Sequence, residues 1–108
     1  MLIINIAKDF SEIPGARFRE DGEYSGEEFR EDYLIPKFEE ALKAKEKLFI
    51  DFDGGYGYLI SFLEEAFGGL ARIYDSKIVL NTLEFKSEEE KALIEKVQNY
   101  IKNAKKVQ

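Results

Sequence analysis

The chain has 108 residues, 44% hydrophobic and 35% charged, which fits one globular domain, 1–108, able to bury a core without staples. It has no cysteine and no histidine, which excludes disulfides, thiol catalysis, thiolate metal sites and the commonest general base near neutral pH. A net charge of −6 disfavours nucleic-acid partners, whose affinity comes mostly from basic side chains neutralising phosphates.

The chain opens on Leu2-Ile3-Ile4-Asn5-Ile6-Ala7, a β-branched run that predicts a strand. It is too short for a secretion signal and has no basic residues before it. No stretch approaches the roughly 20 apolar residues of a membrane span, so a cytoplasmic protein without membrane association is expected. Pro14-Gly15 marks a turn, and Ala16 to Arg19 is expected to form a short second strand before the Asp21-Gly22 turn.

Three helix starts carry the same S-x-x-E capping box: Ser25 to Glu28, Ser61 to Glu64 and Ser87 to Glu90. The first helix places Phe29, Tyr33, Leu34, Phe38, Ala41 and Leu42 on one stripe, with Pro36 expected to kink or break it. Lys47 to Phe52 is a short apolar run between helices, which predicts a buried strand in a parallel pairing. The second helix carries Leu63, Ala66, Phe67, Leu70 and Tyr74. Gly68 and Gly69 inside it cost about 1 kcal/mol each against Ala, which implies close packing against the sheet or a partner. Ile78-Val79-Leu80 and Leu83-Glu84-Phe85 both read as extended, and a strand ending near Phe85 is expected, its start within 77–86 left open. The third helix carries Leu93, Ile94, Val97, Tyr100, Ile101 and Ala104, and ends on a basic cluster, Lys102, Lys105 and Lys106, that suits the helix dipole.

This order predicts an α/β domain with a small mixed central sheet of about four strands and helices packed on it. Sites in open α/β sheets lie beyond the carboxyl ends of strands, so the turn from Asp51 to Ser61 is the expected working face.

Apolar strand followed by Asp51-Phe52-Asp53-Gly54 resembles the first motif of haloacid-dehalogenase-type phosphatases. That resemblance implies Asp51 as nucleophile and Asp53 as acid/base beside Mg²⁺. Gly55 stands where that family has Thr or Val, the motif falls late in a short chain, and no later acidic pair follows a strand. The other reading is a strand-end turn whose Asp side chains bond local backbone N–H groups. The loop Gly54-Gly55-Tyr56-Gly57-Tyr58 lacks both phosphate-binding glycine patterns, so no cofactor is expected. Its tyrosines serve either recognition or cover for the core edge. Ser61 opens a helix and is either a cap or a place for a phosphate. For Glu64 and Glu65, capping and solvation are favoured over paired-carboxylate catalysis.

Across nearly the whole chain, four segments resemble the STAS-like domain family of unknown function, DUF4325. They are Ile4 to Ser11, Tyr24 to Arg30, Phe49 to Gly54 and, most specifically, Ser61-Phe62-Leu63-Glu64-Glu65-Ala66-Phe67-Gly68-Gly69-Leu70; Leu83 to Ser87 also fits. The resemblance implies a fold like that of STAS domains, the sulfate-transporter and anti-sigma-factor-antagonist group. Bacterial members of that group bind protein partners, often kinase-type ATPases, and are switched by phosphorylating a Ser at the start of the helix after a central strand. An ungapped comparison puts Leu59 at the Asp of that pattern, Ile60 at the phosphorylated Ser and Ser61 at the Ser after it. The expected function is a non-enzymatic regulatory or partner-binding module, with no catalytic residues, metal or cofactor. It would act through the 54–62 turn and second helix: Asp53, Gly54, Gly55, Tyr56, Gly57, Tyr58, Ser61 and Glu65. The alternative is an Mg-dependent phosphatase using Asp51 and Asp53.

Overall fold

Three strands, β1 (Leu2–Asn5), β2 (Leu48–Asp51) and β3 (Leu83–Lys86), pair side by side in chain order. Both pairings are parallel, with Leu2 opposite Leu48 and Leu48 opposite Leu83. The computed structural model describes residues 1–105. The expected mixed sheet of about four strands is therefore a parallel sheet of three among the described residues. Lys106 of the basic cluster lies outside them.

The missing strand has a physical explanation. The segment expected to form it, Ala16 to Arg19, uses its carbonyls to satisfy the start of the next helix. The Gly26 and Glu27 N–H groups donate to the Ala16 and Arg17 carbonyls at 2.9 and 3.0 Å. A helix leaves its first N–H groups without internal partners, and this segment supplies two of them. Residues Arg19–Asp21 then turn in a short 3₁₀ helix. At β1 the strand stops at Asn5, whose side-chain oxygen accepts from Lys8 N–H at 2.9 Å and caps α1 (Ile6–Asp9). Ile6 and Ala7, expected in the strand, are buried on that helical turn.

The first long helix runs over residues 26–44 as α2 (Gly26–Phe29), a π-turn (Arg30–Leu34) and α3 (Ile35–Ala44). Ser25 caps it as its sequence predicts, accepting from Glu28 N–H at 3.0 Å. Pro36 neither breaks nor ends it. The proline falls in the first turn of α3, directly after the wider π-turn, where its missing N–H is tolerated. The second long helix repeats the plan over residues 60–74: α4 (Ile60–Leu63), a π-turn (Glu64–Gly68) and α5 (Gly69–Tyr74). A break at Asp75 then leads into α6 (Ser76–Thr82), so Ile78-Val79-Leu80 is helical rather than extended. The last helix is α7 (Ala92–Asn103), which buries Leu93, Val97 and Ile101.

Phe29, Phe38, Phe62 and Phe67 are fully buried and form the bulk of the core with Leu48, Ile50 and Leu70. Alternation along the strands turns Ile4, Leu48, Ile50 and Leu83 into that core. The opposite face carries Ile3 and Phe49, paired across the sheet and 50% and 38% exposed. β2 is thus central but buried on one face alone.

The two long helices meet most closely at Gly26. A Cβ there would stand 2.6 Å from the carbonyl oxygen of Phe62. Helix propensity alone would make Gly26→Ala stabilising by about 1 kcal/mol. Backbone sterics reverse the sign, and we expect Gly26→Ala to lose about 1–3 kcal/mol in urea unfolding. A neutral or stabilising result would mean the helices can separate freely at this point.

Candidate functional site

The chain leaves the sheet at the carboxyl end of β2 and reaches α4 through residues 52–59. Asp51 Oδ1 accepts from Asp53 N–H at 2.9 Å, which makes the first bend of the turn. The Asp53 carboxylate then reaches the loop after β3, where its two oxygens accept from the N–H groups of Glu88 and Glu89, each at 3.0 Å. Lys86 Nζ stands 3.7 Å from both Asp51 and Asp53. The backbone bonds from Glu89 and Glu88 hold the Asp53 carboxyl below its usual range, against a smaller opposing effect of burial. In return, Gly54 N–H donates to Glu89 Oε1 at 2.8 Å. The β2–α4 turn and the β3–α7 loop are thereby clamped together.

The glycines of the loop have separate reasons. Gly54 and Gly57 hold φ of 101° and 119°, in the left-handed region that glycine tolerates. Gly55 lets the backbone approach: a Cβ would stand 2.9 Å from the Glu12 carbonyl oxygen, which accepts from Tyr56 N–H at 2.9 Å. The two tyrosines divide the roles open to them. Tyr58 covers the core edge, its ring edge-on to Phe52 at 5.5 Å and its hydroxyl donating to the Phe52 carbonyl at 2.7 Å. Burial, then the carboxylates of Asp51, Asp53 and Glu89, push its phenol well above the ordinary range. Tyr56 projects into solvent.

The helix begins one residue before Ser61. Leu59 is its N-cap, with extended backbone and no side-chain bond, and Ser61 is the second helical residue. The expected Ser61 cap is therefore absent. Ser87 does not cap a helix either: its hydroxyl donates to the Glu90 carbonyl at 2.7 Å and α7 starts at Ala92. Asp53 instead holds the N–H groups of Glu88 and Glu89 from a distance, next to the Glu90 N–H that the capping box assigns to Ser87.

Glu64 and Glu65 neither cap nor stand in solvent. Glu64 receives Arg17 Nη1 at 2.5 Å and Arg72 Nη1 at 2.7 Å. Glu65 receives Arg30 Nη1 at 2.5 Å and Arg17 Nη1 at 3.2 Å, and it is buried. Three of the four arginines in the chain belong to this network. Arg72 first, and then Arg17, hold the Glu64 carboxyl below its usual range.

Of the eight expected site residues, Asp53, Gly55, Tyr56, Gly57 and Tyr58 line one hollow of about 290 Å³ with Glu89, Glu90 and Leu93 among its other walls. Gly54 is in the same turn. Ser61 lies further on, in α4, and Glu65 is turned away into the ion network. Sequence reasoning named Tyr56, which is 81% exposed, but did not single out the exposed residues beside it: Leu59 at 54%, Ile60 at 67% and, on the neighbouring segment, Ile13 at 69%. Leu59 and Ile60 stand at helical spacing from Leu63, Ala66 and Phe67, so the periodicity would bury them and gives no signal of their exposure.

The phosphatase reading needs a carboxyl at Asp53 able to give and take a proton. Two backbone N–H groups and Lys86 instead favour its anion, which suits a clamp better than an acid. Among the described residues no group of three or more acidic side chains is arranged to hold a metal ion.

A family model, that of the STAS-like domain of unknown function (DUF4325), matches residues 25–92. The chain belongs to this STAS-like family. The matched span begins at Ser25, so β1 and the segment up to Tyr24 lie outside it. No curated protein and no solved structure matches the chain. No helix among the described residues is long and apolar enough to cross a membrane.

Asp53 and Glu64 both titrate lower in the folded chain than in the unfolded one. Their contribution is full above the unfolded values, 3.8 and 4.5, and is lost as the pH falls through the folded ones. Thermal unfolding from pH 7 downward should therefore show little change until about pH 4.5 and a steep fall below it. Asp53→Asn should lower stability at neutral pH by about 1–2 kcal/mol and make that acid fall shallower. An unchanged pH profile in Asp53→Asn would show that the clamp does not act through its charge.

Proposed function

We propose that this chain is a non-enzymatic, partner-binding regulatory module that docks a protein through the β2–α4 turn and the first turn of α4. The observation that carries the reading is the exposed set Tyr56, Leu59 and Ile60, three large apolar side chains in five residues at the carboxyl end of the central strand. Scattered apolar residues on a surface mean little, but a contiguous group on a pinned turn is what an interface uses. Membership of a STAS-like family supports the same reading, because the resemblance to STAS domains implies protein partners. A kinase-type ATPase is the first partner class to try. Control by phosphorylation is secondary in this reading: Ile60 stands where the STAS pattern has its phosphorylated Ser, and Ser61 is the nearest hydroxyl.

Affinity capture from the native cell, using the full chain, tests the docking face. Tyr56→Ser and Ile60→Ser suit the test because both side chains are exposed and neither supports the core. Tyr58→Ala does not, because it removes a half-buried ring and its bond to Phe52. We expect the partner captured by the wild-type chain to bind about tenfold or more weakly to the double variant. Equal capture by both would overturn the site. Intact mass of the chain recovered from the cell reads whether Ser61 carries a phosphate.

A further inference from the structure

We infer that the segment docking on this face is basic, and that it places an arginine or lysine side chain in the hollow between the β2–α4 turn and the β3–α7 loop, with apolar neighbours resting on Tyr56, Leu59 and Ile60. This rests on the docking reading above and names the chemistry of the partner.

The hollow combines two features that suit a cation on an aliphatic stem. Its walls are aromatic, from Phe52, Tyr56 and Tyr58, and its rim is acidic, from Asp53, Glu89 and Glu90. A second shallow hollow shares Tyr56, Tyr58 and Glu90 and adds Pro14 and Leu59, so the acidic rim is continuous with the exposed apolar group. Among the described residues no lysine or arginine lines either hollow. Asp53 is already balanced in part by Lys86, but Glu90 takes part in no ion pair among the described residues, and Glu89 meets only the Gly54 N–H. Aromatic faces attract a cation, and neighbouring carboxylates add to that attraction.

The same charges exclude the other occupants. A second copy placed on this face would set acidic rim against acidic rim. An anionic membrane surface or a nucleic acid would be repelled for the same reason. A basic protein segment is the partner these charges attract.

The test is an NMR titration of the isotope-labelled full chain with N-acetyl-arginine methylamide. N-acetyl-glutamate methylamide and N-acetyl-norleucine methylamide serve as the oppositely charged and uncharged probes. Saturable amide shifts confined to 54–58 and 88–90 are expected with the arginine compound alone. Glu89→Gln/Glu90→Gln should weaken them about fivefold while leaving the Asp53 clamp in place. Added salt should weaken them further. The inference is overturned by an absence of saturable shifts, by equal response to the glutamate or norleucine compound, or by shifts centred on other carboxylates. Concentration-dependent shifts at these residues without any probe would point to a second copy and also overturn it. The docking reading fails separately: a saturable arginine site with partner capture unaffected by Tyr56→Ser/Ile60→Ser keeps the hollow and rejects the docking face. Lost capture with no arginine site keeps the face and rejects the basic partner.

Discussion

Gly26 lies against the Phe62 carbonyl, and this approach sets where both long helices sit on the sheet. With the backbones this close, the side chains beside the contact must find room or partners. Gly69 leaves room: a Cβ there would stand 2.5 Å from Arg30 Nη1. Arg30 uses the space to reach Glu65, and it also donates to the Glu65 carbonyl at 2.8 Å. Both side chains are nearly buried, so loss of the Glu65 carboxylate would leave the Arg30 charge with little water and only Glu31 at 4.0 Å, which typically costs about 3–5 kcal/mol. Loss of Arg30 would still leave Glu65 its bond to Arg17. Arg30 opens one π-turn, and Glu64 and Glu65 open the other. A π-turn inserts a residue and rotates the remainder of the helix about its axis. The wide turns, the glycines and the ion pairs are thus parts of one contact.

That contact reaches the candidate site through α4. Once Phe62 is fixed against Gly26 and Leu63 is buried, the chain before them has little freedom, and Leu59 and Ile60 are left outside. From the other side the turn is held by hydrogen bonds at Asp53 and Gly54 to the β3–α7 loop, at Tyr56 to Glu12, and at Tyr58 to Phe52 within the turn itself. A glycine-rich loop is often mobile, but this one is tied at four residues. A face held in shape before binding loses less entropy when a partner arrives. The apolar side chains are therefore presented on a firm support.

Much of this was legible in the sequence. The stripe of the first helix predicts Phe29, Leu34, Phe38 and Ala41 as core, and all four are fully buried. The apolar run at Leu48 marks the central parallel strand, and the Asp-x-Asp-Gly bend is the backbone-bonded turn that its residue types allow. Several of the failures share a cause: long-range partners displaced local ones. Ser87 fits a capping box, but its hydroxyl turns to the Glu90 carbonyl, and Asp53 gathers the neighbouring Glu88 and Glu89 N–H groups from the other end of the site. Ala16 to Arg19 looks extended, but its carbonyls serve the start of α2. Gly68 and Gly69 announce a close approach without saying to what, and the answer is the side chains of Glu64 and Arg30 rather than the sheet. Glu64 and Glu65 look like ordinary surface acids because their arginines are spread over residues 17, 30 and 72.

The position of the exposed pair bears on how such a module could be controlled. The resemblance to STAS domains implies a phosphate added at the helix start. An ungapped comparison sets Ile60, an exposed apolar residue, at that position, and the surrounding carboxylates already make the face negative. A phosphate on Ser61 would add about two charges of the sign already present. If the face docks a basic segment as proposed, such an addition would tighten that docking instead of releasing it. Release would then have to come from the partner, by loss of its positive charge, or from ionic strength, which screens exposed charges within about 8–10 Å. Under the proposed docking, isoleucine in place of a phosphorylatable serine would alter the direction of a switch at this site as well as its location.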